Sequence, residues 1–246
     1  KLVRKEKDSS NIEKTSLGIG HRFNYETKFY AFDQTTQSPY FGDTFVAPIV
    51  DRASLKTMYN EVSAEFYNST LGRLQGNISL YNYNYFFNSI LITEEGREIP
   101  SRLKGEEVAV GGTYEKRIKS FDFRADIKYN VSGDLGGNLM NAKTSYLLKD
   151  KHKITASGYA STRMPNFNFL LYQSDYEEYN WLNLDSFEKE QVYGLGLDFD
   201  SPVWGKLTLN YTTVDNYTYF TLGQQQEITE PEVEIAILRP AQEKNL

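Results

Sequence analysis

Phe121-Asp-Phe-Arg-Ala-Asp-Ile-Lys-Tyr-Asn-Val131 alternates with a period of two. Phe121, Phe123, Ala125, Ile127, Tyr129 and Val131 fall on one side, with Asp122, Arg124, Asp126, Lys128 and Asn130 on the other. Successive side chains of a strand point to opposite faces, so this spacing predicts a strand with one apolar and one charged face. A helical period of ~3.6 residues would scatter both sets around a cylinder.

Eight further segments repeat the pattern. Residues 16–32 set Leu17, Ile19, Phe23, Tyr25 and Phe29 against Arg22, Asn24, Glu26 and Lys28. Residues 54–68 set Met58, Val62, Ala64 and Phe66 against Glu61, Ser63 and Glu65. Residues 107–118 carry Val108, Val110, Tyr114 and Ile118, residues 138–149 carry Met140, Ala142, Tyr146 and Leu148, and residues 153–164 carry Ile154, Ala156, Gly158, Ala160 and Met164. Residues 187–199 present Tyr193, Leu195, Leu197 and Phe199, and residues 206–219 present Leu207, Leu209, Tyr211, Tyr217 and Tyr219. Residues 73–88 begin with Leu74, Ile78 and Leu80 on one face and then change phase to Tyr81, Tyr83, Tyr85 and Phe87. That switch predicts a bulge, or the point where the strand emerges from a membrane. No segment reads as a helix.

The connections carry an independent signal. Those at Ser69–Gly72, Lys119–Ser120, Asp150–His152 and Asp200–Gly205 are tight; those at about 33–53, 89–106, 165–186 and 220–242 are long, and Ser132–Gly137 is intermediate. Short and long alternate along the chain, and loops of ~20 structureless residues are uncommon in compact soluble domains. Outer-membrane barrels are built this way, from strands of ~10 alternating residues, short periplasmic turns and long external loops. The predicted fold is therefore an all-β, antiparallel transmembrane β-barrel. A soluble barrel or sandwich with the apolar face as its core gives the same alternation. Three features favour the membrane. The segments of about 11–15 residues exceed the usual ~5–6. The apolar faces are diluted with Ala, Gly, Thr and Tyr, which fill a core poorly. Charge is almost absent from those faces, with Lys116 and Asp215 as exceptions, and Lys116 stands near a strand end from which it can snorkel.

Nine strands is an odd number, whereas single-chain bacterial barrels have even counts and an open edge in lipid is costly. Residues 1–246 are thus expected to be one barrel region, incomplete at both ends, or one whose edges pair with another protein. The absence of cysteine excludes disulfides, Cys-ligated zinc and thiol catalysis. A net charge of −6 from 33 acidic and 27 basic residues, well mixed, argues against nucleic acid as a partner. Mean hydropathy is −0.57, yet 19 Tyr and 15 Phe are present, a balance that suits sheets with one wet face. No apolar run approaches the ~20 residues of a transmembrane helix, and the charged start Lys1-Leu-Val-Arg-Lys-Glu-Lys7 is not a signal peptide.

Candidate chemistry is thin, and no cofactor is expected. His21 lies on the apolar side of the first strand and His152 in a tight turn; catalysis would require a serine and an orienting partner beside one of them. Asp33, Asp43 and Asp51 lack a Ca²⁺-loop pattern and read as solvated carboxylates. The acidic stretches Glu94-Glu-Gly-Arg-Glu98 and Glu106-Glu107 read as external loop, and the Asn-x-Ser/Thr sequons at Asn68, Asn77, Asn130, Asn210 and Asn216 read as strand and turn composition. Tyr25, Phe29, Tyr30 and Tyr217 suit interfacial girdles. Arg22, Glu26, Lys28, Glu61, Glu65, Asp122, Arg124, Asp126, Lys128, Lys143, Lys153 and Arg163 fall on polar faces and are the expected pore lining. Phe167, Phe169, Leu170, Leu171, Tyr172 and Trp181 sit in one long loop, where water would be costly around them. They are expected to plug the lumen, with contact to a partner protein as the alternative.

Met164-Pro-Asn-Phe-Asn-Phe-Leu-Leu-Tyr-Gln-Ser-Asp-Tyr-Glu-Glu-Tyr-Asn-Trp181 resembles a characteristic loop of the putative porin family of Bacteroidota, as does Leu209-Asn-Tyr-Thr-Thr-Val-Asp-Asn-Tyr-Thr-Tyr-Phe220 and, more weakly, Gly20-His-Arg-Phe-Asn-Tyr-Glu-Thr-Lys-Phe29. The resemblance runs in order along nearly the whole chain. It implies a Gram-negative outer-membrane barrel longer than 246 residues, of which this is an interior portion, allowing passive diffusion of small hydrophilic solutes. The implied partners are the lipid bilayer and its lipopolysaccharide leaflet, and no catalytic or metal-binding residue is implied. Two other readings remain open. One is a non-channel barrel that is a subunit or client of an outer-membrane secretion or assembly machine; the other is a soluble glycan-binding β-protein.

Overall fold

A computed structural model of the chain describes residues 15–89, 91–92, 98–149, 151–222, 226–228, 233–235 and 237–243. Nine strands form one sheet: β1 (Thr15–Gln34), β2 (Ile49–Asn68), β3 (Gly72–Phe87), β4 (Arg102–Ile118), β5 (Phe121–Ser132), β6 (Leu139–Leu148), β7 (His152–Arg163), β8 (Glu190–Ser201) and β9 (Gly205–Asp215). Each pairs antiparallel with its neighbours in the chain, so the sheet is a meander in sequence order. All nine segments picked out by alternation are strands. The sheet is open: β1 and β9 are its two edges, and they do not pair with each other.

The registers assign the faces. Ile19, Ala64, Gly76, Gly112, Ile127, Met140, Ala160, Tyr193 and Thr213 form one cross-strand row through all nine strands. Gly18, Glu65, Gln75, Thr113, Asp126, Asn141, Tyr159, Gly194 and Thr212 form the adjacent row on the opposite face. The apolar row and its neighbours are uncovered, with Ile19 77 %, Ile78 62 % and Leu195 66 % exposed. The small dry core lies elsewhere, against the polar face, where Ala53, Tyr85, Phe87, Ile99 and Leu171 are buried together.

Several expectations are corrected. β3 has no bulge: it runs in continuous register against both neighbours, and the one irregularity of the sheet falls between Val108 and Ala109 of β4, where it faces β5. Tyr81, Tyr83, Tyr85 and Phe87 stay on the same face as Arg73 and Gln75; what changes is that a loop covers this end of the polar face. β2 and β4 start earlier than their alternation shows, because Arg52, Ser54 and Lys56, and likewise Arg102, Lys104 and Glu106, replace apolar residues on the apolar face there. Glu106 and Glu107 therefore belong to β4 rather than to a loop, and Glu107 is buried, accepting from the Leu135 amide at 2.9 Å. Residues 94–97 of the other acidic stretch lie outside the described residues. The ninth strand breaks at Asn216, where φ is +58°; the chain continues as β10 (Tyr217–Leu222), which pairs with β11 (Leu238–Glu243). A short helical turn, α1 (Phe167–Leu170), sits in the loop after β7, capped by the Asn166 side chain.

The connections alternate as expected. β2–β3, β4–β5, β6–β7 and β8–β9 are joined by turns of two or three residues, and the opposite end carries the connections 35–48, 88–101, 133–138 and 164–189. Lys116 reaches back to the carbonyl of Ser69 at the short-turn end, 3.5 Å away. Gly72 opens β3 at φ +95°, and a Cβ there would lie 2.4 Å from the Glu115 carbonyl oxygen. Gly72→Ala is expected to lower stability by about 1–3 kcal/mol, read as an earlier denaturation midpoint with no change in the native circular dichroism.

Candidate functional site

The polar face carries a ladder of ion pairs that follows from the register. Arg22 meets Glu61 at 3.2 Å, and Tyr59 donates to the same carboxylate at 2.6 Å while the Arg22 guanidinium lies 5.0 Å over its ring. Lys28 pairs with Glu26 on its own strand at 3.4 Å. Toward the short-turn end Arg73 bridges Glu65 and Glu115, and Arg124 links Glu115, at 2.6 Å, to Asp126, at 3.0 Å. Arg117 holds Asp122, and Arg163 holds Glu190 at 3.0 Å at the other end. Arg73, Glu115, Arg117, Asp122, Arg124 and Lys143 line an open cavity of about 400 Å³.

All twelve residues expected on this face are placed on it by the registers. Nine of them enter these ion pairs. Lys128, Lys143 and Lys153 stand opposite Leu139, Arg124 and Asp200 across the strands. Sequence reading missed Arg73, Glu115, Arg117 and Glu190. The first two are flanked by apolar-face Leu74 and Tyr114, so the parity of their own strands marks them as polar-face residues; Arg117 and Glu190 stand at strand ends, where the pattern fades.

Over the loop end of this face lies the connection 164–189. Phe167 packs on Tyr83 and Tyr85, with ring centres 5.3 and 5.6 Å apart, and Tyr172 packs on Phe87 at 5.5 Å. Leu170 and Leu171 are fully buried. The neighbouring Leu171–Tyr172 and Trp181–Leu182 pair as a two-rung hairpin, and Tyr172 stacks on Trp181 at 4.9 Å. Phe169 and Trp181 lie on Phe220, at 4.6 and 6.1 Å. The aromatic loop thus spans from the polar face of β2 and β3 to β10. Tyr30, expected in a girdle, instead sits on the polar face with Tyr172 around a second cavity of about 350 Å³.

Polar clamps fix the loop. Asp51, 3 % exposed, accepts from the Ser174 hydroxyl at 2.6 Å and the Asp175 amide at 2.8 Å. Asp175 in turn accepts from the Val50 amide at 2.8 Å. Gln173 donates to the carbonyls of Ile99 and Pro100, and Tyr176 donates to Gln34 at 2.7 Å. Burial pushes the phenols of Tyr172 and Tyr179 above their ordinary range, with the nearby Glu178 adding to the effect at Tyr179. Asp33, Asp43 and Asp51 do not converge. Asp33 pairs with Arg52, Asp43 accepts from Gln37, and Asp51 holds the loop. Among the described residues no group of three or more His, Asp or Glu side chains is placed to hold a metal ion.

His21 stands on the apolar face opposite Val62. His152 makes a hydrogen bond with Ser201 at 2.9 Å, a Ser–His contact the sequence did not announce. Ser201 is buried, however, and its oxygen accepts from the amides of Val203 and Trp204, so the contact locks the β8–β9 turn.

A family model described as a putative porin matches residues 2–246. The chain belongs to the putative porin family. No curated protein matches the chain. Porin-family membership implies a membrane location and agrees with a two-faced sheet whose charged side carries a folded loop.

The clamp of this porin-family chain is open to a direct check. Asp51→Ala leaves the Ser174 hydroxyl and the Asp175 amide without their acceptor, a loss of about 1–3 kcal/mol. Limited proteolysis within 164–189 is expected to accelerate roughly 5- to 150-fold while the strand content stays unchanged.

Proposed function

We propose that the chain forms a wall of an outer-membrane β-barrel pore through which small hydrophilic solutes diffuse passively. The observation that carries this reading is the uncovered apolar face, continuous across nine strands, whose few charges stand toward the strand ends. In water such a face would be a large aggregation surface; in a bilayer it is the lipid contact. The height fits. From Phe121 to Val131 the apolar side of β5 spans ten residue steps, or about 34 Å along the strand; at a tilt of ~45° that is about 24 Å, against a typical apolar band of ~25 Å. The long connections would then lie outside the cell and the short turns in the periplasm.

The loop 164–189 would narrow the lumen, and the paired charges of the wall would hold water there with weak selectivity. The exposed pairs are each worth only about 0–1 kcal/mol, so their service is the local field along the solute path rather than stability. One observation favours a second reading, a barrel subunit or client of a secretion or assembly machine: the unpaired edges of β1 and β9 can accept strands of another protein. Stoichiometric co-purification of a partner with a non-conducting protein would favour it.

Purified chain in planar bilayers is expected to give discrete conductance steps, and shortening 164–189 is expected to enlarge them; a silent bilayer overturns the pore. Leu195→Arg tests the lipid face separately. It is expected to cost about 2–4 kcal/mol when unfolding is followed in vesicles, whereas the same change on an ordinary wet surface stays within about 0.5 kcal/mol.

A further inference from the structure

We infer that the fringe of the apolar face on β2, β3 and β4 is a binding site for a phosphate-bearing lipid headgroup. The inference rests on the membrane reading above. Rows read off the register define the place. Asn60, Leu80 and Val108 form one row on the apolar face; Met58, Asn82 and Glu106 form the next. Beyond them lies Lys56–Asn84–Lys104, and then Ser54–Phe86–Arg102. From Met58 to Lys56 is one two-residue step, about 7 Å along the strand or ~5 Å in height at a ~45° tilt. That sets the cations just past the hydrocarbon edge, within the headgroup layer of ~5–8 Å on each side of a bilayer.

The chemistry suits a phosphate. Lys56, Arg102 and Lys104 are all exposed on the outward face. Lys56 and Lys104 stand two strands apart, about 10 Å between backbones, with Asn84 between them, and their long stems can converge on one tetrahedral anion. The Arg102 guanidinium lies over the Phe86 ring, 5.1 Å from its centre, a contact that orients its N–H fork. Of the acids on this end of the face, Glu106 stands one row inside and accepts from Asn82 at 3.3 Å, and Asp33 pairs with Arg52 at 2.6 Å. Among the described residues none forms an ion pair with Lys56, Arg102 or Lys104. The asymmetry around the sheet matters most. In the rows of Lys56 and Ser54 β1 carries Thr27 and Phe29, and at the loop end of the apolar face β5, β7, β8 and β9 carry Val131, Thr162, Gln191 and Asp215; none of these is a cation. A merely solvated rim would scatter its charges; here Lys56, Arg102 and Lys104 gather on β2 and β4, on either side of β3.

Lipid retention measures this without using conductance. The full chain is reconstituted with diphosphoryl lipid A, washed in neutral detergent and weighed by native mass spectrometry. Lys56→Gln/Arg102→Gln/Lys104→Gln is expected to lose at least ~10-fold of the retained lipid, while Lys119→Gln/Lys149→Gln at the short-turn end loses none. If the triple variant fails heat-modifiable migration, Lys104→Gln alone is expected to show a several-fold loss. Equal retention by the folded variant, or equal retention of dephosphorylated lipid A, overturns the site; displacement of the lipid by millimolar inorganic phosphate overturns its assignment to a lipid. Failure of the membrane reading looks different, as a chain that stays monodisperse without detergent and does not float with vesicles.

Discussion

Among the described residues nothing packs on the apolar face of the nine-stranded sheet, and the rest of the structure follows from that condition. Ordinary soluble sheets hide the oily face and wet the charged one. Here the side chains that would normally supply a core stand exposed, Ile19, Ile78, Ile127 and Leu195 among them. Burying one such side chain is worth about 1.5–3 kcal/mol, so the environment that covers this face outweighs every ion pair on the other. Glycine, alanine and threonine in the same rows are tolerable because fluid lipid, unlike a packed core, leaves no cavity beside a small residue. Backbone hydrogen bonding runs strand to strand and needs no second layer, so the sheet can be specified while its main apolar surface waits for a solvent other than water.

Against this background the small dry core under loop 164–189 is the exception that needs explaining. Its wall on β3 is Tyr81, Tyr83, Tyr85 and Phe87, on the side of the sheet that elsewhere carries charge. The same strand therefore presents carbon outward over Leu74, Ile78 and Leu80 and carbon inward over its last turns, with no change of register. Where the outward stripe stops, Asn82 and Asn84 take over; where the inward aromatics begin, the loop lands on them. Polar anchors such as Asp51 set the position of the loop, since a hydrophobic patch alone would let it slide. A buried carboxylate with two donors has one geometry in which it is satisfied.

Most of the architecture was legible because period two is a strong signal wherever one face is apolar and the other charged. β5 is the clearest instance: its residues 121–131 were assigned in full, and the strand ends one residue later. Legibility failed where the two faces exchange polarity. At the start of β2 and β4, Ala53, Leu55 and Leu103 point toward the loop while Ser54, Lys56, Arg102 and Lys104 point outward, so those strands seemed to start late, and Glu106 and Glu107 seemed to lie in a loop. In β3 the same exchange imitates a slip of phase. The break at Asn216 was hidden because Tyr217 and Tyr219 continue the pattern of β9, and only the positive φ marks the bend. The aromatic loop was visible as a cost to be met, but its clamp was not. Asp51 is distant in sequence from Ser174 and Asp175, and beside Asp33 and Asp43 it reads more readily as a solvated loop carboxylate.

The charged face is built from two kinds of interaction that differ in strength. Between the short turns and mid-strand, Glu65, Arg73, Glu115, Arg124 and Asp126 form an alternating chain of half-exposed pairs that water can enter and salt can screen. At the loop end the key bonds are buried, and several hold a specific backbone group, as Asp51 holds the Asp175 amide and Gln173 the Ile99 carbonyl. A passing ion or polar solute can exchange with the first kind at little cost, because every pair it disturbs can re-form with water. It cannot pass through the second kind without unfolding part of the loop. In the proposed pore, permeability is therefore decided where Tyr30, Tyr85, Phe167 and Tyr172 gather, and the charged ladder below sets only which solutes are favoured on arrival.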